Sequence, residues 1–587
     1  MKFWIFFVFM AVSAVANAQL DLVPDTILFT QRTGGIQDTF DIANNPLPSS
    51  FDGGRNLSSR SALSADQLFL DITQYRLNGF TTQDRMRYSS LPHLGFAYSF
   101  GSQGTQFLHL RYTQAFNGGF KLNLDYHRYT GAGFLRNSNF TGDDVRMRVQ
   151  RDGLRYSMKF AGSFQSYNVS HPGGINTDTA ALTGSIGLDS LIGLGLEFVP
   201  VLRTANSETR MATAEIQNFL NFTSDSLNHF GLVTKHQFAI INRKFFESNS
   251  GANIEGYSIV NYDSTQTQDV WNHPSLANGA GVYFLNKTTG FYIDGTVQHR
   301  YWNSWDVRDL RDTSEIDLKS ELRFEWKGIS LSNSFRFNII GGFNGIENRT
   351  SAQYASKKLE VKANALFSSL PADAIQRFFY GNNYGYQLNA INRQVVLKIG
   401  GSASYVVKDS LLSLEGKATL FSLPSVYTFD GTNWALNDSL GTANSIEFGA
   451  HLQWMALHFR PAVVLSTDRY NYLPTFQGYS RLYVKGRLFK AKKLAAVVGL
   501  DASFNNGFAL RSYIPSMDAF YWNSSLGINP GMANLHFFAS LGIDQFRFYA
   551  RFENIGYFWN DRTIREAVGY SIAGTRIRVG ISWDFFN

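Results

Sequence analysis

From Ile316 to Trp326 the chain changes character at every residue. Ile316, Leu318, Leu322, Phe324 and Trp326 fall on one face of an extended strand, and Asp317, Lys319, Glu321, Arg323 and Glu325 on the other, because successive strand side chains point to opposite sides. The division returns with Phe120, Leu122, Leu124 and Tyr126 against Lys121, Asn123, Asp125 and His127. It returns again with Val145, Met147 and Val149 against Arg146, Arg148 and Gln150, and with Phe546, Phe548, Ala550 and Phe552 against Arg547, Tyr549, Arg551 and Glu553. This period of two dominates from about residue 93 to the C-terminus. A half-solvated sheet in a soluble protein also alternates. The segments here, however, run to roughly 9–13 residues, enough to cross a bilayer at a tilt, whereas globular strands average ~5–6.

The connections alternate as well. Short turns are read at Arg151-Asp152-Gly153, Asp189-Ser190, 286–290, Lys327-Gly328, Lys408-Asp409, Met455-Ala456 and 542–544. Long loops are read at about 131–143, 165–179, 242–278, 303–313, 342–355, 423–444, 468–477, 505–532 and 553–574. In hydrocarbon each unpaired backbone group costs several kcal/mol, so a sheet spans a membrane only when it closes on itself. The expected fold is therefore all-β: a closed antiparallel transmembrane β-barrel with short periplasmic turns and long extracellular loops. About 20–24 strands fit and the best parse gives 24; segments 93–100, 207–221 and 383–391 alternate least clearly. Both barrel ends fall on the periplasmic side, which requires an even count.

Composition agrees. Aromatic residues make up 15% of the chain, yet mean hydropathy is −0.17, and beyond the N-terminus no apolar run reaches the ~18 residues of a membrane helix. Cysteine is absent, which suits a wall held by its own hydrogen-bond ladder. The net charge of +7 is dispersed along the chain, which argues against a nucleic-acid partner.

The first eighteen residues read as an export leader. Lys2 supplies the positive start, Phe3 to Val12 is apolar, and Ala16-Asn17-Ala18 offers a small-x-small cleavage site. As a membrane anchor the apolar run is too short. The expected organisation is a leader at 1–18, an N-terminal periplasmic tail or strand-capping segment at 19–92, and an outer-membrane barrel at 93–587. Gly34 to Ser61 is rich in Gly, Asn, Ser and Asp without sustained period; a small lumen plug is the less favoured reading of that stretch.

The last strand alternates throughout. Arg578, Gly580, Ile581, Trp583 and Phe585 resemble the C-terminal assembly signal of outer-membrane barrels: a polar residue, a glycine, then apolar residues at alternate positions. Phe586 and Asn587 extend past its usual aromatic end. The barrel-assembly machinery is the implied partner, alongside the lipid bilayer itself.

Pro371 is placed to start a short helix over Ala372 to Phe379, either in a periplasmic connection or as a lumen constriction. The stretch Ser369 to Tyr384, proline-led and then rich in aromatics and asparagine, resembles the "putative porin" family of Bacteroidetes. Asn383 and Tyr386 stand where that family commonly has histidine and tryptophan. Arg87 to Phe116, with Ser90-Leu91-Pro92-His93-Leu94-Gly95 leading into strands at Tyr98 and Leu108, is similar to the family's first hairpins. The resemblance spans nearly the whole mature chain and implies an outer-membrane pore in a Gram-negative-type envelope.

No catalytic signature, cofactor site or metal motif is found: a Gly-x-Ser-x-Gly elbow, a His-Glu-x-x-His pair and a phosphate loop are all missing from the sequence. His109 and His127 share the inward phase of adjacent strands and can meet by register; a metal site there is the weaker reading. Arg146, Arg148, Arg323, Arg547 and Arg551 are the lumen-facing basic candidates, with Arg111, Arg155, Lys159, Arg336, Lys485, Arg487, Arg576 and Arg578 in the same phase. They can brace the wall by pairing with Asp125, Asp317, Glu321, Glu325, Glu360, Glu447 and Asp584, or favour anions, with bracing preferred. The expected function is passive diffusion of small hydrophilic solutes, not catalysis. The alternatives are an energy-coupled receptor with a reduced plug and a structural or secretion-associated barrel.

Overall fold

The computed structural model describes residues 89–586, except 134–135, 175–200, 224, 226, 249–259, 307, 309, 342–344, 372–376, 388–392, 409–410, 430–433, 438–440, 469–473, 490–492, 518, 523–527, 560–564, 568–569 and 572–573. Its main strands are β1 (His93–Gly101), β2 (Gln106–Ala115), β3 (Phe120–Gly131), β4 (Phe140–Arg151), β5 (Tyr156–Ser170), β6 (Asn206–Asn221), β7 (Asn228–Glu247) and β8 (Thr267–Asn286). There follow β9 (Phe291–Trp305), β10 (Leu310–Trp326), β11 (Ile329–Ile340), β12 (Ile346–Ala355), β13 (Leu359–Pro371), β14 (Arg393–Lys408), β15 (Leu412–Phe429) and β16 (Gly441–Trp454). The ring is completed by β17 (Leu457–Asp468), β18 (Phe476–Leu488), β19 (Leu494–Asn505), β20 (Met532–Ile543), β21 (Phe546–Glu553) and β22 (Arg576–Phe586).

Each strand pairs antiparallel with its neighbours in the chain, and β22 pairs with β1 from Gly101↔Arg578 to His93↔Phe586. The result is a closed 22-strand barrel. That is two fewer strands than the best sequence parse, and inside its range. β5 pairs directly with β6, so the ring closes without the hairpin expected at Asp189-Ser190, which lies outside the described residues. Of the segment 383–391, Gly385–Gln387 forms a side hairpin with Phe378–Tyr380 and stays out of the ring. A further short strand, Trp434–Asn437, pairs with the end of β15, residues Val426 to Phe429.

Two expected loops are strand. β7 and β8 each run to 20 residues and shrink the loop expected at 242–278 to 248–266. Their far halves lie beyond the ~9–11 residues a bilayer requires, where polar residues such as Asn242 and Lys244 interrupt the outward apolar face. β12 occupies most of the loop expected at 342–355. Its alternation is hidden because Asn348 and Thr350 fall on the outward face. There they are satisfied by the Asn333 side-chain amide of β11, at 2.6 Å and 2.8 Å.

At the end bearing the short turns, Lys327 (φ 46°) and Gly328 (φ 83°) both sit in the left-handed region. This is the two-residue hairpin turn that matches strand twist. A Cβ on Gly328 would lie 2.3 Å from the Ala355 carbonyl oxygen, so glycine is required there.

Candidate functional site: the lumen and its loop-covered mouth

The two faces of the wall differ as membrane burial demands. On β17–β22 the exposed apolar side chains, among them Leu465, Leu482, Val498, Phe537, Phe548 and Trp583, share one phase. Every charged residue of those strands lies on the other. The charges form cross-strand ladders. Arg111 donates to Asp125 at 2.9 Å, and His109 lies 3.1 Å from the same carboxylate. Arg336 donates to Asp317 at 2.9 Å, with Arg300 3.5 Å away on the other side. Lys235 reaches Asp294 at 2.6 Å and Glu321 at 3.8 Å.

Among the basic candidates, Arg146 donates from Nε to both oxygens of Asp144, at 3.0 Å and 2.9 Å. Arg323 donates to Glu321 at 2.6 Å. Arg551 bridges Asp501 at 3.1 Å and Glu553 at 3.6 Å. Arg148 is buried in the wall opposite Asn123 and Ala161. Arg547 stands near the short-turn end, in register with Gly542 and Ser582. His109 and His127 do meet: their rings stack at 4.2 Å, and His127 lies 3.9 Å from Asp144.

In the C-terminal segment, Arg578 points inward, 4.0 Å from Glu553. Trp583 and Phe585 are outward and stack on each other at 4.5 Å. Ile581 shares their phase, and Gly580 lies beneath the buried ring of Tyr549; a Cβ there would fall 2.4 Å from that ring. Ala16 and Ala18 lie outside the described residues.

The long-loop end is crowded, and sequence reasoning missed the residues that make it so. The chain between β19 and β20 reaches the opposite side of the ring. There the buried Arg243 of β7 donates to the carbonyl of Pro515 at 2.6 Å and also to that of Ser516. Tyr513 lies against His171, ring to ring at 5.9 Å, and His171 in turn bonds Ser207 of β6 at 2.7 Å. Met517 is fully buried.

A second arm comes from the chain between β13 and β14. The Asn382 amide donates to Asp269 of β8 at 2.7 Å, and its side chain donates to the Asp263 carbonyl at 2.6 Å. Thr267 donates to Asn383 at 2.6 Å, and the Tyr380 amide to Asp306 at 2.9 Å. The Arg377 guanidinium covers the Trp302 ring at 4.9 Å, and Arg311 covers Phe378 at 4.2 Å. Tyr384 packs on Leu202, Ala205 and Phe245, so both arms meet the upper ends of β6–β10. Burial, with the Asp269 carboxylate next in weight, pushes the Tyr262 phenol above its ordinary range. Hydrogen bonds from Thr265 hold the Asp263 carboxyl below its own.

This placement corrects the periplasmic reading of the proline-led segment. Strand parity puts residues 377–387 at the long-loop end. Phe378–Tyr380 is extended rather than helical, and 372–376 lie outside the described residues. The asparagines and aromatics that marked the segment in sequence are the residues that dock it.

A closed ring of tilted strands, apolar outside and charged within, defines an integral outer-membrane β-barrel of the transport class. The chain belongs to the family described as "Putative porin", whose model matches residues 53–587. No curated protein matches it in sequence. Among solved structures it is similar to the pyoverdine outer membrane receptor FpvA of Pseudomonas aeruginosa PAO1, with 11% identity, 86% of this chain and 79% of that one covered, and a TM-score of 0.55. The closed form of the ferric-catecholate import receptor Fiu of E. coli K12 gives 11%, 86%, 82% and 0.55. BauA, the ferric preacinetobactin receptor of Acinetobacter baumannii, gives 11%, 85%, 80% and 0.53. At such identities the likeness is one of fold.

Proposed function

We propose that the protein is a channel for passive diffusion of small hydrophilic solutes across the outer membrane, performing no chemistry on them. The observation that carries this reading is the set of charged and polar side chains on the inner face of a closed ring, interspersed with apolar clusters such as Tyr483, Val497 and Phe538, which suits an aqueous path inside an apolar shell. The arms docked across the mouth narrow that path. The leader would be removed after Ala18, residues 19–92 would remain as a periplasmic tail or cap, and the segment Arg578 to Phe585 would be recognised by the barrel-assembly machinery. Purified protein in a planar bilayer is expected to give steady unitary currents.

A second reading is favoured by the strand count. Twenty-two strands is the size at which outer-membrane transporters carry a plugged lumen, and the similar solved structures are receptors for iron chelates. In that case residues 19–92 would supply a reduced plug in an energy-coupled receptor. Electrical silence of the intact protein, relieved by deleting 19–92, would favour the receptor over the open channel.

A further inference from the structure

The inward charges are unevenly shared around the ring. On β9–β11 five basic side chains face five acidic ones. On β17–β22 eight basic side chains face four acidic ones. Of these four, Asp468 closes β17 at the mouth, and Asp584 is engaged by His93 at 3.2 Å. At mid-height only Asp501 and Glu553 remain, and three guanidiniums share them. Arg481 lies 2.6 Å and Arg551 3.1 Å from Asp501, while Arg578 lies 4.0 Å from Glu553. Arg460 stands directly across from Arg481 in the ladder.

Below this network the balance tips further. Lys485 and Arg487 are exposed on the inner face of β18 and make no ion pair among the described residues. Arg547 stands at the same end of β21. The chain between β18 and β19 adds the exposed Lys493, against one acid, Asp544, between β20 and β21. Along β18 the steps from Arg481 to Lys485 and on to Arg487 are about 13 Å and about 7 Å. These are comparable with the screening length of ~8 Å in physiological salt, so an anion leaving one cation is already within the field of the next.

We infer that the inner wall of β17–β22 is a basic track that makes the lumen selective for small anionic solutes, those bearing carboxylate or phosphate groups. The inference rests on the channel reading above and assigns that channel its solute class. It excludes a lumen whose charges serve only to brace the wall.

The test is the reversal potential of the full-length protein in a planar bilayer under a KCl gradient. Chloride is expected to permeate severalfold better than potassium. The double variant Lys485→Gln/Arg487→Gln, whose sites are exposed and unpaired, should lower that preference by roughly twofold or more. Lys362→Gln, at a Lys362–Glu360 pair 2.8 Å apart on β13, should lower it less. Steady currents that are cation-selective, or whose selectivity ignores the double variant, overturn the track and leave the channel standing. No current at all removes both.

Discussion

His93 and Asp584 lie 491 residues apart in the chain, and their side chains approach to 3.2 Å across the seam between the first and last strands. Gly95 makes room for this contact. A Cβ there would come within 3.3 Å of the Asp584 carboxylate and 3.7 Å of Arg111. The ladder from His93 to Gly101 is what closes the wall, and this side-chain contact trims it at the short-turn end. Because the Asp584 side chain is 43% exposed, Asp584→Asn should cost under about 1 kcal/mol. It should lower the temperature at which the folded band is lost in a heat-modifiability gel only slightly.

Gly580→Ala should be far more damaging. Its methyl would lie 2.4 Å from the Tyr549 ring and 2.6 Å from the Tyr98 carbonyl oxygen, and Tyr549 is fully buried. Overpacking of this kind costs ~1–3 kcal/mol. The folded fraction in the outer membrane should fall, and Gly580→Ala with Tyr549→Ala should recover part of it. If the single variant assembles like the parent, the glycine is not there for packing.

Arg243→Ala should free the arm between β19 and β20. Two hydrogen bonds from a buried guanidinium to the Pro515 and Ser516 carbonyls are worth ~1.5–3 kcal/mol each. Unitary conductance should rise, or the open-state noise should increase, in single-channel records. An unchanged conductance would mean that this arm does not limit flow.

Asn382→Ala should loosen the other arm by about 2–3 kcal/mol, because it leaves buried amides and carbonyls without partners. Limited proteolysis of intact cells should then cut between residues 377 and 387 faster than in the parent. The neighbouring turn at Asp263 should resist acid. Its carboxyl is held below the ordinary value by the bonds from Thr265, so its contribution persists above the unfolded value and fades only as pH falls through the lower folded one. Cleavage rates should be equal at neutral and mildly acidic pH.

Leu500→Arg places a cation on the outward face in the middle of β19, where Leu500 is exposed. On the lipid face near the midplane this costs ~2–4 kcal/mol. Urea unfolding in lipid vesicles should show that loss.

Much of the wall was legible because lipid enforces the alternation. Wherever a strand crosses hydrocarbon, as Phe120–Tyr126 and Phe546–Phe552 do, the pattern is unmistakable in sequence. It fails where that pressure ends or is met otherwise. The upper halves of β7 and β8 stand clear of the bilayer, and β12 hides its outward polar side chains in the Asn333 cluster. The inward phase of Arg146, Arg148, Arg323, Arg547 and Arg551 was readable from the same period, but their individual partners required the register. Arg243 and Ser516 gave no signal: their contact depends on which strands stand diametrically opposed, and that follows from closure rather than from any local pattern.

The unequal strand lengths tilt the opening itself. β7 and β8 carry 20 residues each and β1 only 9, a difference of over 30 Å along the strand. The rim therefore climbs from a low lip beside the seam to a tall parapet that begins six strands along the ring from β1. The tall side gives the arms from the low side a wall to lean on.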